Sequence, residues 1–168
     1  MSSGYGDDSV IEPVATRGRD WPCLRQFIVF LENRVGALHD VLRRIERDDL
    51  QIIALSILDS TDCAMARIIV NNYERAHELL TFAGFQMLET NVIGVLLPGS
   101  DQPHTAVLGS LMSAEINVHY VYPLMLRRKG RGAVAIYVDE IDEALRVLKE
   151  RQYELITEDD LLATDEFF

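Results

Sequence analysis

Cysteine is scarce in this chain, with two among 168 residues. Cys23 and Cys63 make neither a CxxC pair nor a disulfide framework, the usage expected of a protein kept in a reducing cytoplasm. Positive charge is scarce as well. Sixteen Lys and Arg stand against 27 Asp and Glu, a net charge of −11, and nucleic-acid binding draws its affinity from clustered cations that such a chain lacks. The one basic cluster, Arg127, Arg128, Lys129 and Arg131, falls at an expected hairpin tip, where a solvated turn accounts for it. No apolar run approaches the roughly 20 residues that span a bilayer. Residues 1–10 also lack the basic-then-apolar order of a signal peptide. Neither nucleic acid nor a membrane is expected as a partner.

Catalytic signatures are missing too. His39, His77, His104 and His119 fall on different elements, with no cysteine or carboxylate at ligand spacing, so no metal is expected. Ser100 follows a glycine but not in a GxSxG setting. Gly130-Arg131-Gly132 lacks the third glycine and the strand-to-helix context of a dinucleotide loop. The pairs Asp48-Asp49 and Asp159-Asp160 sit at helix ends or on the acidic tail, where solvation explains them. With no acid, base and oriented partner together, neither a catalytic residue nor a cofactor is expected.

What is present is a repeat. Ile45 to Ile53 sets against Leu111 to His119, placing Leu50 on Ile116 at an offset of 66. Tyr73 to Gly84 sets against Ile141 to Gln152, placing Leu80 on Leu148 at an offset of 68. The two extra residues belong in the hairpin Arg127 to Gly132, longer in the second copy. Each copy reads strand, helix, strand, strand, helix, strand. The expected fold is therefore α+β: two tandem ferredoxin-like βαββαβ units, each a four-stranded antiparallel sheet with its helices on one face.

The parts divide into a disordered leader (1–22), a first unit (23–90), a second unit (91–157) and an acidic tail with a short helical turn (158–168). The leader is rich in Gly, Ser and Asp. Leu24 to Leu31 is a strand apolar on both faces, at Phe27, Val29 and Leu31 but also at Ile28 and Phe30. A helix from Gly36 to Arg47 puts Leu38, Val41, Leu42 and Ile45 on one stripe. Strands at 50–58 and 63–70 are joined by a turn at Asp59 to Asp62. A helix from Asn72 turns Ala76, Leu79, Leu80 and Ala83 inward, and a strand from Phe85 closes the unit. In the second copy a strand at 91–97 leads to a helix near Pro103. A hairpin spans 116–126 and 132–138, a helix start lies at Asp139, and a capping box stands at Thr157 to Asp160. The doubly apolar first strand requires a cover on its far face, from the second copy, from a second chain, or from both.

The run Glu32-Asn33-Arg34-Val35-Gly36-Ala37-Leu38, followed by Val41-Leu42, Ile45 and Leu50-Gln51-Ile52, resembles the opening of ACT domains. Val35 stands where that family usually carries proline. Glu115-Ile116-Asn117-Val118 in the second copy keeps the asparagine of the family's second-strand motif. The resemblance implies a regulatory module that binds an amino acid, with no catalytic role. It also implies that the helix-opening loop of one unit faces the second strand of another. Ligand contacts would then come from Asn33, Arg34, Val35, Gly36, Ala37 and Leu38 together with Asn117. A lesser second site would join Gly99, Ser100, Asp101 and Gln102 to Gln51. The chemistry of the loop agrees: a glycine before a helix lets N–H groups approach a carboxylate, and the helix N-terminus attracts it. The same Asn33 and Gly36 also suit an ordinary helix cap, and Asn117 an exposed strand position.

Three roles follow: a cytoplasmic, homodimeric amino-acid sensor; a ligand-free scaffold or regulatory subunit of a metabolic enzyme; and a small enzyme of ferredoxin-like fold. The first is preferred.

Overall fold

The structure, a computed structural model, describes residues 21–60 and 63–163. All but Trp21 and Pro22 of the expected leader, Thr61 and Asp62 of the first turn, and the end of the acidic tail lie outside the described residues.

The first unit contains β1 (Leu24–Leu31), α1 (Ala37–Ile45), β2 (Ile52–Asp59), β3 (Ala64–Val70), α2 (Tyr73–Phe82) and the start of β4 (Met87–Leu96). The second continues through α3 (Pro103–Ser113), β5 (Val118–Arg128), β6 (Arg131–Val138), α4 (Ile141–Glu150) and β7 (Leu155–Ile156), and α5 (Glu158–Leu162) follows. Each element has a local cause. In α1, Val41 and Ile45 are buried while Arg43, Arg44 and Arg47 face water. Asn72 caps α2 by accepting from the Arg75 N–H. Thr157 and Asp160 form the reciprocal capping box of α5. Asp139 does not open α4; Glu140 takes the N-cap position without a side-chain bond, and Asp139 turns to Asn117 and His119 instead.

The α+β class and the repeat are as expected, but the two discrete four-stranded sheets are not. The expected closing strand of the first copy and opening strand of the second are one strand, β4. Its first half pairs β1, from Met87 to Val92, and its second half pairs β6, from Ile93 to Leu96. The polar stretch Glu89 to Asn91 stays paired with β1, Glu89 with Phe27 and Asn91 with Arg25, so the ladder runs on and a single sheet results, in the order β2-β3-β1-β4-β6-β5 with β7 also on β4. Each half still keeps the ferredoxin-like order, with β4 serving twice.

The sheet folds over on itself, bringing its end strands β2 and β5 into contact. This encloses an inner core of strand residues, Leu24, Ile53, Ile69, Leu96, Tyr122, Leu124 and Ala135 among them, joined by Leu161 of α5. Helices α1 to α4 stay outside. Phe27, Val29 and Ile68 meet α1 and α2 in one outer core, and Ile93, Val95 and Ile136 meet α3 and α4 in another. The cover required by the doubly apolar β1 is thus the second copy over the end of the strand near Leu24. Towards its other end, Phe30 stays exposed, as do Leu88 on the neighbouring β4 and Leu58 on β2.

A polar residue sits inside the inner core. Gln26, wholly buried, donates from Nε2 to the Tyr120 hydroxyl (2.8 Å) and to Thr90 Oγ1 (2.9 Å), and its Oε1 accepts from Tyr122. Each of these groups would be costly to bury alone. Together they tie the two copies at one register. Burial pushes the Tyr122 phenol well above its ordinary range. Among the described residues no helix is long and apolar enough to cross a membrane.

Candidate functional site

The loop from β1 to α1 makes a cavity with the turn from α2 to β4. Gly36 takes a left-handed conformation (φ 86°) as the N-cap of α1, and no side chain caps the helix. Gly84, also left-handed (φ 79°), ends α2 and turns Phe85 and Gln86 towards the loop, where the Phe30 N–H donates to the Gln86 carbonyl (2.9 Å). Between them lies a cavity of about 440 Å³ lined by Phe30, Leu31, Glu32, Arg34, Ala37 and residues 83–86. The Arg34 guanidinium donates to Glu32 (2.8 Å) and Asp40 (2.6 Å), and its presence holds the Asp40 carboxyl below the usual range. One acidic and one basic group therefore share a small space. A second hollow, about 600 Å³, adjoins it through Arg34, Ala83 and Phe85 and is lined by Arg43, Arg44 and Arg47.

Of the loop residues named from sequence, Arg34 and Ala37 line the first cavity. Asn33, Val35 and Gly36 are exposed beside it, and Leu38 packs into the outer core under α1. Asn117 is not with them. It opens the approach to β5 and donates to Asp139 (3.2 Å), which also binds His119. Those two contacts, His119 first, hold the Asp139 carboxyl below its usual range.

The second group is likewise divided. Gly99, Ser100, Asp101 and Gln102 are exposed ahead of α3. The Gln51 backbone exchanges hydrogen bonds with Asn71, its N–H to Asn71 Oδ1 (2.9 Å) and its carbonyl from the Asn71 N–H (3.1 Å). Gln51 lines a cleft of about 300 Å³ with Leu42, Leu55 and, from the second copy, Met125. Its side-chain oxygen is buried there without a hydrogen-bond partner among the described residues. The structure thus brings Gln51 to the seam between copies, and brings neither loop to the strand residue paired with it from sequence.

Sequence reading missed Phe85 and Gln86 as cavity walls, because they are distant in sequence and reach the loop only through the left-handed Gly84. It also missed the group around Arg25. That guanidinium lies over the Tyr73 ring (4.0 Å from its centre) and reaches both Glu74 and Glu158. An arginine inside a mostly apolar strand was the available signal. Among the described residues no cluster of three metal-ligating side chains occurs.

A family model for an ACT domain pair matches residues 23–164. No curated protein sequence matches the chain. Among solved structures, protein BT0572 from Bacteroides thetaiotaomicron is similar at 27% identity and a TM-score of 0.75, over 83% of this chain and 96% of that one. The regulatory subunit of aspartate kinase from Thermus thermophilus, in its ligand-free form, shares the fold at 11% identity and a TM-score of 0.50, over 76% of this chain and 91% of that one.

Proposed function

The chain belongs to the ACT domain pair family, whose domains are regulatory modules without chemistry of their own, and we propose that it is a homodimeric sensor whose first unit binds an amino acid at the loop before α1. One observation carries this reading: Glu32 and Arg34 both line a cavity whose other walls are Phe30, Leu31, Ala37, Ala83, Gly84, Phe85 and Gln86. A zwitterion matches that pair. Its carboxylate suits Arg34 and the uncapped N-terminus of α1, and its ammonium suits Glu32. The apolar walls, Leu31 among them, suit an aliphatic or aromatic side chain. Beside the cavity Val35 and Phe82 are almost wholly exposed, at 101% and 94%. Large apolar groups in that state favour a second chain completing the site, which would bring the strand residues Asn117 and Gln51 of a partner within reach of a loop.

A ligand that binds only the folded state stabilises it, by about 2.7 kcal/mol at a hundredfold excess over Kd. For a chain of this length that is a rise of roughly 5 °C or more in Tm. A thermal-shift screen against the twenty amino acids is expected to give such a rise for one or a few apolar ones. The rise should be lost in Arg34→Ala and reduced in Asn33→Ala and Asn117→Ala. No rise at millimolar concentration from any of them would overturn the sensor. The remaining reading would be a ligand-free scaffold or regulatory subunit of a metabolic enzyme, which the replacement of the family's proline by Val35 favours.

A further inference from the structure

We infer that the second unit carries a separate binding site for a small amphipathic carboxylate, in the cavity beneath the β5–β6 hairpin. The cavity measures about 740 Å³, within the range of small-molecule sites. It shares no residue with the loop cavity of the first unit or with Gly99 to Gln102. Its floor is apolar, formed by Leu97, Pro123, Met125 and Val134. Arg127 and Lys129 of the hairpin make its rim cationic, and His104, the second residue of α3, also lines it.

The hairpin explains why charge remains there. Of its four cations, Arg128 pairs with Asp160 (2.9 Å) and Arg131 with Glu154 (2.7 Å), both near the C-terminus. Arg127 and Lys129 have no carboxylate within 4.0 Å among the described residues, and both line the cavity. Two cations without an ion pair among the described residues, Lys129 acting on Glu154 only through space, mark a place where an anion is favoured in a chain of net charge −11. Arg127 stands near the end of β5, paired with Gly132, and Lys129 in the turn that follows. The strand alternation adds the apolar half of the match. Leu124 and Leu126 point into the inner core, whereas Pro123 and Met125 point outwards and remain exposed, Met125 by 52%.

A peptide strand is a poorer occupant. Although β5 ends the sheet, Pro123 has no N–H to donate, and the β5–β6 register breaks between Leu124 and Arg127. A phosphate-rich ligand would leave the apolar floor unused. An aliphatic or aromatic body with one carboxylate fits both halves.

The test uses 8-anilinonaphthalene-1-sulfonate, an amphipathic anion that fluoresces in apolar sites, displaced from the full chain by octanoate or by uncharged octanol. Octanoate is expected to displace it, and Arg127→Gln with Lys129→Gln to weaken octanoate about tenfold while leaving octanol unchanged. Met125→Asp should weaken both competitors. Leu88→Asp, on the exposed patch of the first unit, should weaken neither. The inference is overturned if octanoate fails to displace the dye, if octanol competes as well as octanoate, if the double variant binds octanoate normally, or if Leu88→Asp abolishes binding. Because Arg34→Ala should leave octanoate binding intact, failure here is distinguishable from failure of the sensor.

Discussion

Glu158→Ala is expected to lower the free energy of unfolding by about 3 kcal/mol, measured by urea denaturation at neutral pH. Glu158 accepts three hydrogen bonds from one residue 133 positions away: Arg25 Nε at 2.7 Å, the terminal guanidinium nitrogen at 2.6 Å and the Arg25 backbone N–H at 3.1 Å. The two side chains are 12% and 11% exposed. Deleting the carboxylate leaves a nearly buried guanidinium whose remaining carboxylate is the half-exposed Glu74, and a buried charge robbed of its partner costs far more than the pair contributes. Glu74→Ala at 45% exposure should cost about 1 kcal/mol or less. Should Glu158→Ala cost no more than Glu74→Ala, the pair would not be what holds α5 against the first unit.

The same region sets an acid limit. Burial opposes ionisation of Asp160, but the Thr157 N–H, Arg128 and the Thr157 hydroxyl together outweigh it and hold the carboxyl below its ordinary 3.8. A carboxyl whose folded pKa is depressed contributes stability that is complete above the unfolded value and is lost as the pH falls through the folded one. Amide hydrogen exchange across α5 is therefore expected to be unchanged between pH 7 and 5, after correction for intrinsic rates. It should lose protection below about pH 4. An Asp160→Asn variant should abolish that pH dependence.

Gly94→Val is expected to cost about 3 kcal/mol, at the upper end for overpacking a closed core. Gly94 lies in the half of β4 that pairs both β6 and β7, on the inner face. A Cβ there would meet Leu24 Cδ1 at 2.8 Å, Ile156 Cβ at 3.0 Å and the Ile156 carbonyl oxygen at 3.1 Å. Leu24 and Ile156 are themselves fully buried, so neither has free space to retreat into. Gly94→Ala should cost roughly 1–2 kcal/mol by the same argument. Gly99→Ala, with nothing within 4 Å of its Cβ position, should stay within about 0.5 kcal/mol of the parent. Equal urea midpoints for the Gly94 and Gly99 variants would show that the inner core is not closed around β4.

The sequence determined which elements form. The apolar stripe at Val41 and Ile45, Asn72 before α2, Pro103 at the start of α3 and the capping box at Thr157 are all encoded within one or two turns. So is the repeat, and with it the family likeness that points to a regulatory module. Tertiary structure decided how the two copies join and where functional groups meet. A polar break such as Glu89 to Asn91 reads locally as the end of one strand and the start of another, and only continued pairing with β1 and then β6 makes it a single strand. Gln26 looks out of place in β1 until Tyr120 and Tyr122, nearly a hundred residues on, come to satisfy it. Asn117 carries the right group for a ligand, yet its position beside Asp139 is set by the meeting of β5 with the end of β6. Local patterns record the burial period and the capping chemistry of a segment. Pairings between distant segments depend on which register closes the core with every polar group satisfied, and that is a property of the whole chain.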